Sequence, residues 1–327
     1  MKALIEAFPQ QLREALQIFK ESNTVIQVEG IQSVLITGLG GSGIGGSIVS
    51  ELVASSCTVP LLVSKDYFIP AWAGDKTLVI VSSYSGNTEE TLHAMKAAAD
   101  RNCRIVCISS GGEVLELAKA ANYPFIQIPG GFAPRACLGY SLVQLCGILE
   151  SAGQAKGLLN QIEQAAHLIE NSALEIKNEA QAIARAISYS VPVIYTSPGY
   201  EGIAIRLRQQ LNENSKMLCW HHVIPEMNHN ELVAWVEKMP KISALFLRNS
   251  DEYYRTSKRM DIVRSIVYGF AGRTLDLQSK GQNHTERVIW WIHLGDWISW
   301  FASQERNVDA DDIDVILRLK DELSQLQ

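Results

Sequence analysis

The chain has 327 residues, 47% of them hydrophobic and 20% charged, and its formal net charge is −6. That length and apolar fraction can fill two ordinary domains with real cores. The acidic balance excludes a global field that would draw in nucleic acid or an anionic membrane, so any anionic ligand must be held by local donors.

The opening stretch MKALIEAFPQQLREALQIFK mixes Glu, Gln, Arg and Lys through its apolar positions. It lacks the unbroken apolar core and small-residue cleavage site of a signal peptide, and its periodicity predicts a helix over 9–21. β-Branched apolar runs follow at 33–37, 59–64, 77–82, 104–109 and 124–128. Helix-like stretches at 44–55, 88–101 and 113–121 separate them. Continuous apolar strands joined by single helices predict a parallel sheet covered on both faces. The first domain, 1–152, is therefore expected to be doubly wound α/β.

Residues 137–189 read as helix almost throughout, broken near Asn171-Ser172-Ala173. The strand–loop–helix pattern then restarts, with a strand at 191–196 and a helix at 201–212. A strand at 243–249, a helix in MDIVRSIVYGF, a strand at 273–278 and a Trp-rich helix over 286–303 complete it. The expected second domain, 153–327, thus comprises a helical linker and another α/β unit, and the similar openings of the two units suggest duplication. Trp290, Trp291, Trp297 and Trp300 suit core packing and a subunit interface equally. The segment VIWWIHLGDWISWFA is too short to span a bilayer and contains His293 and Asp296. The tail DADDIDVILRLKDELSQLQ reads as an amphipathic helix whose early Asp residues complement the helix dipole. Six cysteines without a C-x-x-C pair fit reduced, structural thiols in a cytoplasmic protein.

GLGGSGIGG, residues 38–46, matches the dinucleotide fingerprint G-x-G-x-x-G after a strand, with Asp66 near the position of a ribose-binding acid. Alone that match is weak, because any tight strand-to-helix turn favours glycine. SSYSGNTEETL, residues 82–92, is more specific. Ser83, Ser85 and Thr88 supply hydroxyls, Gly86 permits close approach, and Asn87 with Glu90 resembles a capping box. Such a loop delivers hydroxyls and free N–H groups to the positive end of a helix, a phosphate cradle without fixed positive charge. If the strand order reverses between the first and third strands, the two loops meet at the switch point where ligands bind. His221, His222, Glu226 and His229 cluster, but not with H-E-x-x-H spacing, and Pro225 breaks any helix through them, so no metal site is expected.

SYSGNTEET resembles the phosphate loop of sugar isomerase (SIS) domains. With GLGGSGIGG, PRACLGYSL (134–142), LNENSK (211–216) and IPEMNHNELVAW (224–235) in this order, the whole chain resembles the bifunctional phosphoglucose/phosphomannose isomerases. The resemblance implies two SIS domains of flavodoxin-like fold linked by long helices, and a cofactor-free aldose–ketose isomerase acting on hexose 6-phosphates. It places the substrate phosphate on Ser83, Ser85 and Thr88, and the sugar against Gly40, Gly41 and Ser42. It makes Glu213 the base that moves a proton between C1 and C2, and Arg135 the cation that steadies negative charge there. His229, from the neighbouring subunit of a homodimer, helps to open the ring, and Lys320 works with it. The chain departs from the pattern at Ser47, where relatives often carry an acid, and at Cys137.

The chemistry is consistent with those residue types. One carboxylate can take the proton and return it on the same face of a cis-enediolate if its pKa suits both steps. Glu213, flanked in sequence by Asn212 and Asn214 rather than by cations, is such a candidate. Two other classes compete: a phosphosugar sensor without turnover, which needs no Glu213, His229 and Arg135 set, and an NAD-dependent oxidoreductase resting on Gly38, Gly40, Gly43 and Asp66.

Overall fold

Val34, Leu35 and Ile36 are wholly buried, and the strand they form lies near the middle of a parallel sheet in the computed structural model, which describes residues 1–22, 24, 26 and 28–325. Two helices, α1 (Lys2–Glu6) and α2 (Phe8–Glu21), precede it. Then come β1 (Ser33–Thr37), α3 (Gly40–Val53), β2 (Leu61–Ser64), β3 (Thr77–Ser83) and α4 (Glu89–Asp100). β4 (Arg104–Ser109), α5 (Gly112–Ala120) and β5 (Phe125–Gln127) complete the first sheet. The helices α6 (Leu138–Ser151), α7 (Leu158–Asn171) and α8 (Ala173–Ile187) follow. The second half runs β6 (Val191–Thr196), α9 (Glu201–Ser215), β7 (Trp220–Val223), β8 (Met239–Arg248), α10 (Tyr254–Tyr268) and β9 (Ala271–Gln278). It ends in α11 (His284–Glu305) and α12 (Asp314–Ser324).

The first sheet has the order β2-β1-β3-β4-β5 and the second β7-β6-β8-β9, with every pairing parallel. In both, the order reverses at the first strand, which sets the β1 and β3 loops side by side, and likewise those of β6 and β8. This shared winding agrees with the duplication expected from sequence. Helices cover both faces of the first sheet. On its outer face, α4 and α5 bury Leu92, Met95 and Val114 against Val79, Val81 and Cys107. The inner faces share one continuous core that joins Ile36 and Ile80 to Ile194 and Leu245 through the central helices. Trp290, Trp291 and Trp297 lie in that core, which settles them as packing residues. No described helix is long and apolar enough to cross a membrane.

One strand was not foreseen, and three expectations need correction. WHHV, residues 220–223, forms an edge strand paired to Val193–Thr196. It is half-buried and too polar to show strand periodicity. The helical stretch 137–189 breaks at 152–157 as well as at Ser172, with Gly153 and Gly157 at φ 69° and 74°. The N-cap of α4 is Thr88, not Asn87; the Asn87 Oδ1 instead accepts from the Glu113 N–H at the start of α5. The tail helix is confined to Asp314–Ser324, and residues 326–327 of the expected helix fall outside those described.

Glu51 of α3 ties the two halves together by accepting from the Glu201 and Gly202 N–H groups, 2.9 Å each, at the N-terminus of α9. Burial pushes its carboxyl up to about 7 from 4.5, against the pull of those two amides. A raised carboxyl favours the folded state below its unfolded pKa, and that contribution is lost as pH rises through about 7. Chain stability should therefore fall by on the order of 2 kcal/mol from this residue between pH 5 and pH 8. Thermal midpoints of Glu51→Gln should show a flatter pH slope than wild type across that interval; an unchanged slope contradicts the assignment.

Candidate active site

The β3–α4 loop folds around its own hydroxyls. The Ser83 hydroxyl accepts the Gly86 N–H at 3.2 Å and donates to Thr88 Oγ1 at 3.2 Å, while the Ser85 hydroxyl accepts the Asn87 N–H. Gly86 has φ 71°, and a Cβ there would lie 1.8 Å from the Gly111 carbonyl oxygen, so no other residue fits this turn. The Thr88 side chain makes no cap bond to α4. Three hydroxyls therefore converge on a helix N-terminus whose first-turn amides have no intrahelical acceptors.

The glycine loop lies against this one. Buried Ser42, in the first turn of α3, accepts the Tyr84 N–H at 3.0 Å and joins the two loops directly. A Cβ on Gly41 would sit 3.0 Å from the Pro134 carbonyl oxygen. The missing side chain thus allows the turn Pro134–Ala136 to pack on the start of α3. Tyr84 supports the same region from the other side, its hydroxyl accepting the Phe132 N–H at 3.1 Å.

That turn presents Arg135, only 5% exposed, to the end of α9. Its Nε donates to Asn214 Oδ1 at 2.8 Å and its Nη2 to the Ala310 carbonyl at 2.7 Å. Its Nη1 lies 3.7 Å from Glu213 Oε2. The Glu213 side chain remains a third exposed at the edge of a cavity of about 420 Å³, lined also by Asn212, Lys216 and residues 312–316. The sequence neighbours of Glu213 gave the wrong picture of its surroundings: a guanidinium from 78 positions away stands beside it. Lys216 donates to the Glu213 and Asp312 carbonyls and draws the segment before α12 onto this end of α9. Burial and the neighbouring Arg135 hold its ammonium below the usual lysine range, against the pull of Asp312.

A buried ion pair braces the arrangement from behind. Arg206 Nη2 donates to both Asp296 oxygens at 2.8 Å and to the Arg135 carbonyl at 3.1 Å, and Gln210 donates to Asp296 Oδ1 at 2.6 Å. Asn214 is fixed by the Ser299 hydroxyl at 2.9 Å. None of these supports was legible in the sequence, because each partner lies 71 or more positions from the other or on another helix. The one local cue was Asn214, adjacent to Glu213.

The structure thus brings Ser83, Ser85, Thr88, Gly40, Gly41, Ser42, Arg135 and Glu213 into one contact chain. It does not bring in His229 or Lys320. His229 is exposed in the short turn Glu226–His229, and Lys320 is exposed on α12, a helix with no buried residue. Among the described residues neither joins the others by a hydrogen bond or ion pair. The other clustered histidines have separate carboxylate partners: His221 faces Glu201 at 3.6 Å and His222 faces Glu231 at 3.0 Å. No described group of three or more His, Cys, Asp and Glu side chains gathers as a metal site.

Residues 176–323 match a family model described as the bacterial phospho-glucose isomerase C-terminal SIS domain. Over 98% of its length the chain is 35% identical to a bifunctional phosphoglucose/phosphomannose isomerase of Caldicellulosiruptor bescii, 97% of which is covered. The chain belongs to the bifunctional phosphoglucose/phosphomannose isomerase family. A second protein of that name, from Aquifex aeolicus, is 33% identical over 90% of this chain and 91% of its own. The fold extends to more distant proteins. The C-terminal domain of glucosamine-fructose-6-phosphate aminotransferase from Francisella tularensis superposes with a TM-score of 0.77 at 15% identity, covering 94% of this chain and 96% of that one. The visible work of the glycine loop is close packing against Pro134 and Tyr84.

Proposed function

We propose that this chain interconverts fructose 6-phosphate with glucose 6-phosphate and mannose 6-phosphate through a cis-enediolate, without a cofactor. The observation that carries the reading is the carboxylate of Glu213 beside the buried, doubly anchored guanidinium of Arg135, one contact away from the glycine and hydroxyl loops. In this reading residues 1–152 hold the phosphate and residues 153–327 supply the base. Ser83, Ser85, Thr88 and the α4 N-terminus bind the phosphate dianion, and Gly40, Gly41 and Ser42 give the sugar clearance.

Glu213 removes a proton from C1 of the open-chain ketose, and the C2 carbonyl oxygen becomes the enediolate oxygen. Arg135 stabilises that developing charge, the role that preorganised donors serve in acyl-transfer oxyanion holes. The C1 hydroxyl proton then passes to the C2 oxygen, and Glu213 returns its own proton to C2, which leaves the aldehyde at C1 and a hydroxyl at C2. The two aldose phosphates share this intermediate and take the proton on opposite faces of C2, so one base serves both when the cavity lets the enediolate turn about its C2–C3 bond. A sensor without turnover would have no need for a guanidinium held against a carboxylate.

His229 and Lys320 enter this scheme through a homodimer, with His229 contributed across the interface to open the ring. Their exposure supports that role, as does the apolar side of α12, where Val315, Ile316, Leu319 and Leu323 are 84%, 41%, 57% and 48% exposed. The six free cysteines agree with a cytoplasmic site of action.

The test is fructose 6-phosphate with purified protein, products identified, without added metal or nucleotide; both aldose phosphates should form. Removing one phosphate ligand gives a second check. Ser83→Ala should raise KM for fructose 6-phosphate by roughly 10- to 100-fold, the cost of one hydrogen bond to a charged group, with a smaller effect on kcat. A KM unchanged by that substitution would move the phosphate elsewhere.

A further inference from the structure

The strand order reverses twice in this chain, and the isomerase reading uses only the first reversal. The second lies between β6 and β8. In open parallel sheets, the crevice beyond the carboxyl ends of the strands at such a reversal is where ligands bind. A crevice is present here: a cavity of about 250 Å³ between the loops leaving β6 and β8, lined among others by Ser197, Tyr200, Asp251, Tyr253, Thr256 and His284.

Its polar groups are arranged but not all used. Ser197 is 2% exposed, and its hydroxyl has no hydrogen-bond partner among the described residues. A hydroxyl buried without a partner is costly, and such groups commonly mark an ordered water or ligand. His284 Nε2 lies 3.1 Å from the Gly199 carbonyl, so Nε2 carries the proton and Nδ1 is left as an acceptor. Asp251 accepts from the Tyr200 hydroxyl at 2.8 Å and from Arg287 Nη2 at 2.7 Å, and its carboxylate remains a third exposed. At the rim, Tyr253 is 73% exposed and presents a flat apolar ring.

Charge selects the class of ligand. At the first reversal the equivalent loop offers hydroxyls and no carboxylate except those of the helix itself. Here Asp251 occupies the loop and is matched by Arg287, while Glu252 is matched by Arg248 at 3.2 Å. Among the described lining residues no cation is left over for a phosphate dianion, which would face two carboxylates. A neutral polyol meets the opposite situation. Its hydroxyls can donate to Asp251 and to His284 Nδ1, exchange hydrogen bonds with Ser197 and Thr256, and lay a C–H face on Tyr253. The volume is below that of pockets for drug-sized ligands and suits a single ring. We propose that the second strand reversal is a binding site for a small neutral polyhydroxylated molecule of monosaccharide size, separate from the isomerase site.

The site is tested on the full chain with D-glucose and D-mannose as probes, followed by saturation-transfer NMR and by the shift of the thermal midpoint. Binding is expected in wild type and, unchanged, in Glu213→Gln and Ser83→Ala. Ser197→Ala and Tyr253→Ala should each weaken it by roughly fivefold, the worth of one neutral contact, while fructose 6-phosphate turnover stays at the wild-type rate. Ser197→Ala removes only an unpartnered oxygen and Tyr253 is a surface residue, so both variants should fold. Inorganic phosphate should not compete. Failure to bind either sugar, displacement of the sugar by phosphate, or binding indifferent to both substitutions overturns the proposal and leaves the isomerase reading intact. Loss of turnover in wild type with sugar binding retained would instead remove that reading and leave this one.

Discussion

Glu213→Gln is expected to lower kcat for fructose 6-phosphate by about 10²- to 10⁴-fold, the usual contribution of a positioned general base. The substitution keeps the shape of the side chain and removes only its ability to take a proton. The neighbouring groups do not depend on that charge. Arg135 stays anchored by Asn214 and the Ala310 carbonyl, and Lys216 contacts the backbone carbonyl of residue 213 rather than its carboxylate. The thermal midpoint and KM should therefore change little, which separates lost chemistry from lost structure. Steady-state kinetics with a midpoint measurement on the same preparation make the check. A variant that keeps more than a few percent of the wild-type rate would place the base elsewhere.

The largest stability effect is expected at Arg206→Met. Removing one member of a buried ion pair typically costs about 3–5 kcal/mol, because the other charge stays buried and unmatched. Asp296, left behind, would keep only the Gln210 amide. Burial already pushes the Asp296 carboxyl above its ordinary value, against the pull of Arg206 and Gln210. Without Arg206 it should rise further. A raised carboxyl is tolerated in the folded state at low pH, where it is protonated, and becomes a burden as pH rises through its folded value. The variant should therefore be more destabilised at pH 8 than at pH 5. Urea unfolding at both values measures this, and Arg206→Met with Asp296→Leu should recover much of the loss. A small, pH-independent loss would show that the pair is not the brace described above. Since Arg206 also holds the Arg135 carbonyl, activity should fall with the single substitution even where the fold persists.

The two sheets were legible because their strands carry the information themselves. The residues from Thr77 to Ser83 are all buried, and such a run with helices on either side has few alternatives. The hydroxyl loop after β3 was legible for a related reason: Ser83, Ser85, Gly86 and Thr88 lie within one turn, so spacing alone displays them. What was hidden depends on partners distant in sequence. The edge strand Trp220–Val223 exists through its pairing with β6, not through its own periodicity. Asn87 looked like the cap of its own helix, yet it serves the next one. The guanidinium beside Glu213 comes from the other sheet's side of the chain, so the flanking asparagines could not reveal it. His229 and Lys320 were legible only through family resemblance, and on this chain they stand apart from the rest of the site.

The central claim is that a single carboxylate moves a proton between C1 and C2 of a hexose 6-phosphate. It is tested most directly by incubating fructose 6-phosphate with the protein in D₂O and following the sugars by NMR. The account predicts that both glucose 6-phosphate and mannose 6-phosphate appear carrying solvent deuterium at C2, and that Glu213→Gln abolishes the incorporation. Fructose 6-phosphate recovered without either aldose and without deuterium at C1 would contradict it.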